Sequence, residues 1–225
     1  MTTGWPVKAN YATGDVLSAT NMNDLSGTVN FLNPTGVTNG YVLTADSTVA
    51  NKVKWAAAGG GGTTPGLVQV GSSTFSGSAA ASINNVFTTS YNYYRVMIET
   101  VGSAGGADLQ ARLRASGSDL TTSTYISQRV SGSGTGVSAA AYGTDKWYVG
   151  FVSSSIKAYT IFDLFNPKLA QATDGMGSTT ADSGSGLDYN AWSYGNTTAA
   201  GYDGLTIYPS TGTLTGKVTV YGYAI

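Results

Sequence analysis

The sequence predicts a mainly β protein: a short N-terminal helix and a small β stalk, then an antiparallel β-sandwich or jelly-roll domain. Three observations predict it. Charged residues are only 10% of the chain, while Gly (31 of 225) and Ser plus Thr (about a quarter) are abundant. The 15 tyrosines and many threonines suit a pleated, half-buried surface, and Gly turns the chain. Apolar residues, at 41%, fall in alternating runs separated by Gly/Ser-rich turns, so there is surface to bury and disorder is disfavoured.

The first 33 residues differ from the rest. From Thr20 to Asn33, Met22, Leu25, Val29 and Leu32 recur at spacings of three, four and three, the a/d pattern of a helical seam. Thr20 supplies an N-cap and Asn33-Pro34 a stop. About two heptads are too short to stand alone as a helix. The stripe therefore packs in a coiled coil, dimeric or trimeric, or on another surface, and no other helix in the chain offers one.

Residues 34–58 form a second unit. Asn39-Gly40 signals a turn, Tyr41-Val42-Leu43-Thr44 a strand, Asp46-Ser47 another turn and Val53-Lys54-Trp55 a second strand. Roughly 25 residues bury too little to fold alone, so association between copies is the natural source of stability. The run Gly59-Gly60-Gly61-Gly62-Thr63-Thr64-Pro65-Gly66 has no side chains to pack and reads as a linker over 59–66. It is no phosphate cradle, because the Lys-Ser/Thr and helix of that motif are missing.

Residues 67–225 read as the sandwich. Tyr93 to Val101 alternates, with Tyr94, Val96 and Ile98 on one face and Arg95, Met97 and Glu99 on the other. In Asp108 to Ala115, Leu109, Ala111, Leu113 and Ala115 are expected inward and Asp108, Gln110, Arg112 and Arg114 outward. Leu109 and Leu113 also fit a helical turn, but flanking glycines favour a strand. Lys146–Val152, Ile156–Phe165, Leu205–Tyr208 and Lys217–Tyr223 are further strands. Five to eight strands result, with Ser116–Thr124, Ser131–Ala139 and Ala172–Gly186 as loops.

Three groups of residues resemble bacteriophage fibre proteins. Gly14 to Leu25 resembles the segment that opens many phage tail proteins, where "VLTAxxxNxL" feeds a helix. Gly40-Tyr41-Val42-Leu43-Thr44-Ala45-Asp46, continuing to Val53-Lys54-Trp55, resembles the "G-x-VLTSDG…V-x-W" unit of tail-fibre stalks. Val86 to Val96, and Gly204 to Ser210 followed by Gly216 to Gly222, resemble parts of phage β-sandwich heads. The resemblance implies a homotrimer held to other virion proteins by residues 1–33, with the C-terminal head outward. It carries no catalytic residues to transfer. One stalk unit is short for a long tail fibre, so a head fibre or capsid decoration is the alternative to a receptor-binding tail fibre.

Composition excludes several chemistries. There is no His and no Cys, so a Ser–His–Asp triad, a His- or thiolate-ligated metal site and a disulfide framework are impossible. Net charge is −1, with pI about 5.1, and gives no electrostatic basis for nucleic-acid binding. No apolar run approaches the roughly 20 residues that span a bilayer, and no signal-peptide h-region opens the chain. A particle assembled in the host cytoplasm and released by lysis needs neither. Asp174, Asp182 and Asp188 supply carboxylates for Ca²⁺, but their spacing fits no EF-hand and loop Asp residues usually form turns. No metal, cofactor or enzymatic activity is expected.

The candidate receptor-binding residues are Asp188, Tyr189, Trp192, Tyr194 and Tyr202, with Asn190 and Asn196 nearby. Aromatic faces beside Asn and Asp can stack on and hydrogen-bond a host-surface glycan, or contact a host protein. The competing reading buries the same rings between sheets or subunits. A secreted bacterial carbohydrate-binding module is a third functional class, and the absent signal sequence and the N-terminal helix count against it.

Overall fold

The computed structural model describes residues 41–45, 47–48, 53–57, 66–104, 106–182 and 186–224. The chain divides into two compact units, Met1–Thr64 and Pro65–Ile225. The expected helix bearing Met22, Leu25, Val29 and Leu32, and the Gly59–Gly62 run, lie outside the described residues. No helix occurs among the described residues.

In the first unit, β1 (Tyr41–Ala45) and β2 (Val53–Ala57) pair antiparallel, with Leu43 opposite Trp55. The Thr44 hydroxyl donates to the Lys54 carbonyl at 3.1 Å. Tyr41, Val42 and Leu43 are all exposed, so both faces of this hairpin carry uncovered apolar area.

The described residues of the second unit form thirteen strands in two antiparallel sheets. The eight-stranded sheet runs, in spatial order, β3 (Gly66–Ser78), β15 (Leu214–Ala224), β5 (Tyr93–Gly102), β11 (Ala158–Phe165), β12 (Gln171–Asp182), β13 (Leu187–Ala200), β8 (Tyr125–Ser133) and β9 (Gly136–Thr144). The smaller sheet runs β10 (Trp147–Val152), β6 (Ala107–Ala115), β14 (Gly204–Pro209) and β4 (Ala81–Ile83), with β7 (Ser118–Asp119) hairpinned onto β6. Ser116 and Gly117 make that two-residue turn with both φ positive, 51° and 79°, the geometry that matches strand twist.

Alternation explains the core. Tyr94, Val96 and Ile98 of β5 point inward, as do Leu109, Ala111 and Leu113 of β6. Asp108–Ala115 is a strand, not a helical turn. Ala115, expected inward, is exposed because it borders the turn into β7. Buried rings find partners: the Tyr125 hydroxyl accepts from the Leu113 amide and donates to the Leu120 carbonyl, each at 3.0 Å, and the Trp147 indole donates to the Gly195 carbonyl at 2.7 Å.

Two expected loops are strands instead. Ser131–Ala139 is the turn end of the β8–β9 hairpin, and Ala172–Gly186 contains most of β12, in the middle of the large sheet. Its inward positions are Thr173, Gly175, Gly177, Thr179 and Ala181, all small. Gly177 lies between Phe162 and Trp192, and Gly175 between Leu164 and Tyr194, so neighbouring side chains fill the space above the glycines. A Cβ on Gly177 would sit 2.4 Å from both the Ile161 carbonyl oxygen and the Phe162 Cβ. β12 is thus a strand whose apolar cover comes from β11 and β13.

Candidate interaction face

Register places the expected recognition residues on opposite faces of the large sheet. Along β13, Asp188, Asn190, Trp192, Tyr194 and Asn196 point inward, and Tyr189 points out. Trp192 and Tyr194 are each only 4% exposed, and Tyr202 2%. The Tyr202 hydroxyl donates to Asn196 Oδ1 at 3.4 Å, and burial pushes the Tyr194 hydroxyl well above its ordinary value. The set is therefore corrected: Trp192, Tyr194 and Tyr202 are core residues, Asp188 is buried with them, and Tyr189 alone, at 57%, is open to a partner. The calcium candidates are dispersed too. Asp174 and Asp182 lie towards opposite ends of β12, while Asp188 faces inward from β13.

The inward pole of β13 is polar and poorly partnered. Asp188 Oδ1, both amide atoms of Asn190, Trp192 Nε1 and Arg129 Nε have no hydrogen-bond partner among the described residues. Arg129 lies opposite Trp192 on β8, and its guanidinium sits 5.7 Å from the Trp192 ring centroid and 5.0 Å from that of Phe151. Burial raises the carboxyl of Asp108, with Arg129 opposing the rise.

The outward face of the large sheet has a different chemistry. Successive registers align Thr219, Met97, Ile161, Ser178, Ala191, Val130 and Ala139 in one row across seven strands. The adjacent row reads Lys217, Glu99, Tyr159, Thr180, Tyr189, Gly132 and Val137. Met97, Tyr159, Ile161, Met176, Leu187, Ile126, Val130 and Val137 are all exposed there, Val137 at 80%. Sequence reasoning selected Tyr189 but missed its neighbours, because their adjacency is created by the register of β12, β13, β8 and β9.

Charge on this face is concentrated on its β15–β5–β11 side and is largely paired. Arg95 forks onto Asp163 at 2.8 and 2.7 Å, Tyr223 donates to Asp163 at 3.0 Å, and Lys157 pairs with Glu99. A depression of about 270 Å³ lies there, lined by Met97, Glu99, Tyr159, Ile161, Lys217 and Tyr221 among others.

On the smaller sheet, Gln110 lies between Tyr148 and Tyr208 in register. The Arg112 guanidinium sits 5.2 Å from the Tyr208 ring centroid and pairs with Asp145. Hydrogen bonds from Lys146 and then Thr144 hold the Asp145 carboxyl far below the usual carboxylate range, with Arg112 adding to the effect.

No family model matches the sequence, and no curated protein matches it. Among solved structures, the chain is similar to a protein of unknown function from Shewanella oneidensis MR-1. Identity is 11% over 95% of this chain and 98% of the other, and the TM-score is 0.19, a value too low to argue fold or function from.

Proposed function

We propose that this chain is a structural subunit of a bacteriophage particle: a homotrimeric tail fibre or receptor-binding appendage. Residues 1–33 join it to other virion proteins, and residues 67–225 form a β-sandwich or jelly-roll head that meets the host surface. It is assembled in the host cytoplasm and is not an enzyme. The observation that carries the reading is the exposed apolar patch on the β12–β13–β8–β9 half of the large sheet, the surface of a part made to be assembled. The residue segments resembling phage fibre proteins support it, and so does the exposed β1–β2 hairpin, with too little apolar area to stand alone. Against catalysis stand the lack of His and Cys and the engagement of Glu99, Asp119, Asp145 and Asp163 in ion pairs.

A second reading is a head fibre or capsid decoration, in which the β1–β2 hairpin, the one hairpin of the first unit among the described residues, serves as a short spacer. Immunogold microscopy of particles released from cells expressing the gene tests both. Label at the tail is expected, and label on the capsid selects the second reading. Recovery of the chain only in the particle-free medium overturns both.

A further inference from the structure

We infer that the outward face of the large sheet is the contact surface between copies of this chain, anchored by its β12–β13–β8–β9 half. The inference rests on the reading of the chain as an assembled subunit and names the surface that does the assembling.

On the anchoring half the outward carboxylates are Asp174 and Asp182, towards the two ends of β12; the three rows between them, through Met176, Ser178 and Thr180, carry no Asp, Glu, Lys or Arg. Met176, Leu187, Tyr189, Ile126, Val130 and Val137 stand exposed there, between 52% and 80%. Apart from those two carboxylates, Ser, Thr, Gly, Ala and a single Gln fill the remaining outward positions. Eight strands about 4.8 Å apart and about 25 Å of strand give a face of roughly 900 Å², of which the anchoring half is roughly 450 Å². A standard interface takes about 800 Å² from each partner, so the face as a whole has the size required, and the apolar half alone is as large as a monomer ordinarily exposes.

Charge argues that the occupant is a second copy. The far half of the face neutralises itself through Arg95–Asp163 and Lys157–Glu99, and the chain's net charge is −1. Like copies therefore meet with little repulsion. A glycan site wants polar groups converging on a concave surface, whereas this half offers mainly aliphatic and thioether side chains on a sheet, with Tyr189 as its single outward aromatic ring.

The absence of cysteine makes the test direct. Val130→Cys and Met176→Cys are made singly in the full chain, with Thr211→Cys, at an exposed bend between β14 and β15, as the reference. Solution mass comes from light scattering and exposure from the rate of maleimide labelling. The expected result is a mass of two or three times 23.0 kDa. The thiols introduced at positions 130 and 176 should then label at least about tenfold more slowly than the reference, as buried contacts do. Dilution that lowers the mass should restore fast labelling, and so should Val137→Glu added to either variant. An oligomer whose two face thiols label at the reference rate overturns the inference and leaves the virion reading standing. A monomer overturns the inference outright, and the microscopy then decides the virion reading alone. Protection that arises only when host envelope is added also overturns it, giving the face to a host partner.

Discussion

The Thr179 hydroxyl reaches across the space between the sheets and donates to the Val149 carbonyl at 2.8 Å. Val149 sits where the pairing of β10 with β6 shifts register, between Tyr148 and Gly150, so it has no partner residue on β6. The irregularity turns a backbone acceptor toward the large sheet, and a buried threonine satisfies it. Thr160 completes the group, 3.0 Å from Thr179, while Gly150 leaves room: a Cβ there would lie 2.4 Å from Thr179 Oγ1. The two sheets are joined here by a polar bond inside an apolar core.

Thr179→Val keeps the shape and removes the donor. Its expected cost is about 1 kcal/mol, the loss of one buried hydrogen bond, because the Val149 carbonyl keeps the longer bond from the Tyr194 hydroxyl at 3.4 Å. Thr179→Ser, which keeps the hydroxyl, should lose less. Denaturant midpoints measure both, and equal losses would show that the methyl group matters rather than the bond.

Gly177 is a second point of close approach. Gly177→Ala drives a methyl group into the Ile161 carbonyl and the Phe162 side chain. We expect a loss of about 3 kcal/mol, at the upper end for overpacking a core. Ser178→Ala, one residue along on the outward side, should stay within about 0.5 kcal/mol. If the two substitutions melt alike, β11 and β12 have room between them that a bare glycine there does not require.

These positions explain what was legible in the sequence. β5, β6 and β15 announce themselves because their own side chains alternate between apolar and polar, and β10, β11 and β14 through short runs of aromatic and branched residues. β12 does not. Its inward Thr-Gly-Gly-Thr-Ala series is small because Phe162, Leu164, Trp192 and Tyr194 occupy the volume above it, and those residues are distant in sequence. β3, β8 and β9 are hidden for a related reason: Gly, Ser and Ala read as turn formers until partner strands are known. The aromatic cluster of β13 was visible, but its orientation was not. Tyr189 and Trp192 are three residues apart and so fall on opposite faces of a strand.

Asn190 is fully buried, between Thr179 and Ser131 in register, with neither amide atom hydrogen-bonded among the described residues. Replacing an unpartnered buried amide by an apolar group of similar size removes a desolvation cost of about 1–3 kcal/mol. Asn190→Leu should therefore raise the melting temperature, and Asn190→Asp should lower it. A lower melting temperature for Asn190→Leu would mean that the amide is partnered in solution, through ordered water.

Tyr208 contributes to the alkaline limit of the fold. Burial, its largest influence, pushes the hydroxyl from 10.0 up to about 12, opposed by Arg112 and aided by Asp145, and the oxygen is buried without a partner among the described residues. The folded state holds this proton more tightly than the unfolded chain does. The group's contribution to stability is thus complete below pH 10.0 and is lost as pH rises toward about 12. Tyr125 and Tyr194, also pushed up by burial, act in the same direction. Tyr208→Phe removes one of these protons and a hydroxyl that makes no bond. It should be at least as stable as the parent at neutral pH, and its advantage in denaturant midpoint should widen as pH rises from 10.0 toward about 12. Parallel midpoints across that interval would mean that Tyr208 ionises as readily in the fold as out of it, and that the alkaline loss belongs to the other tyrosines.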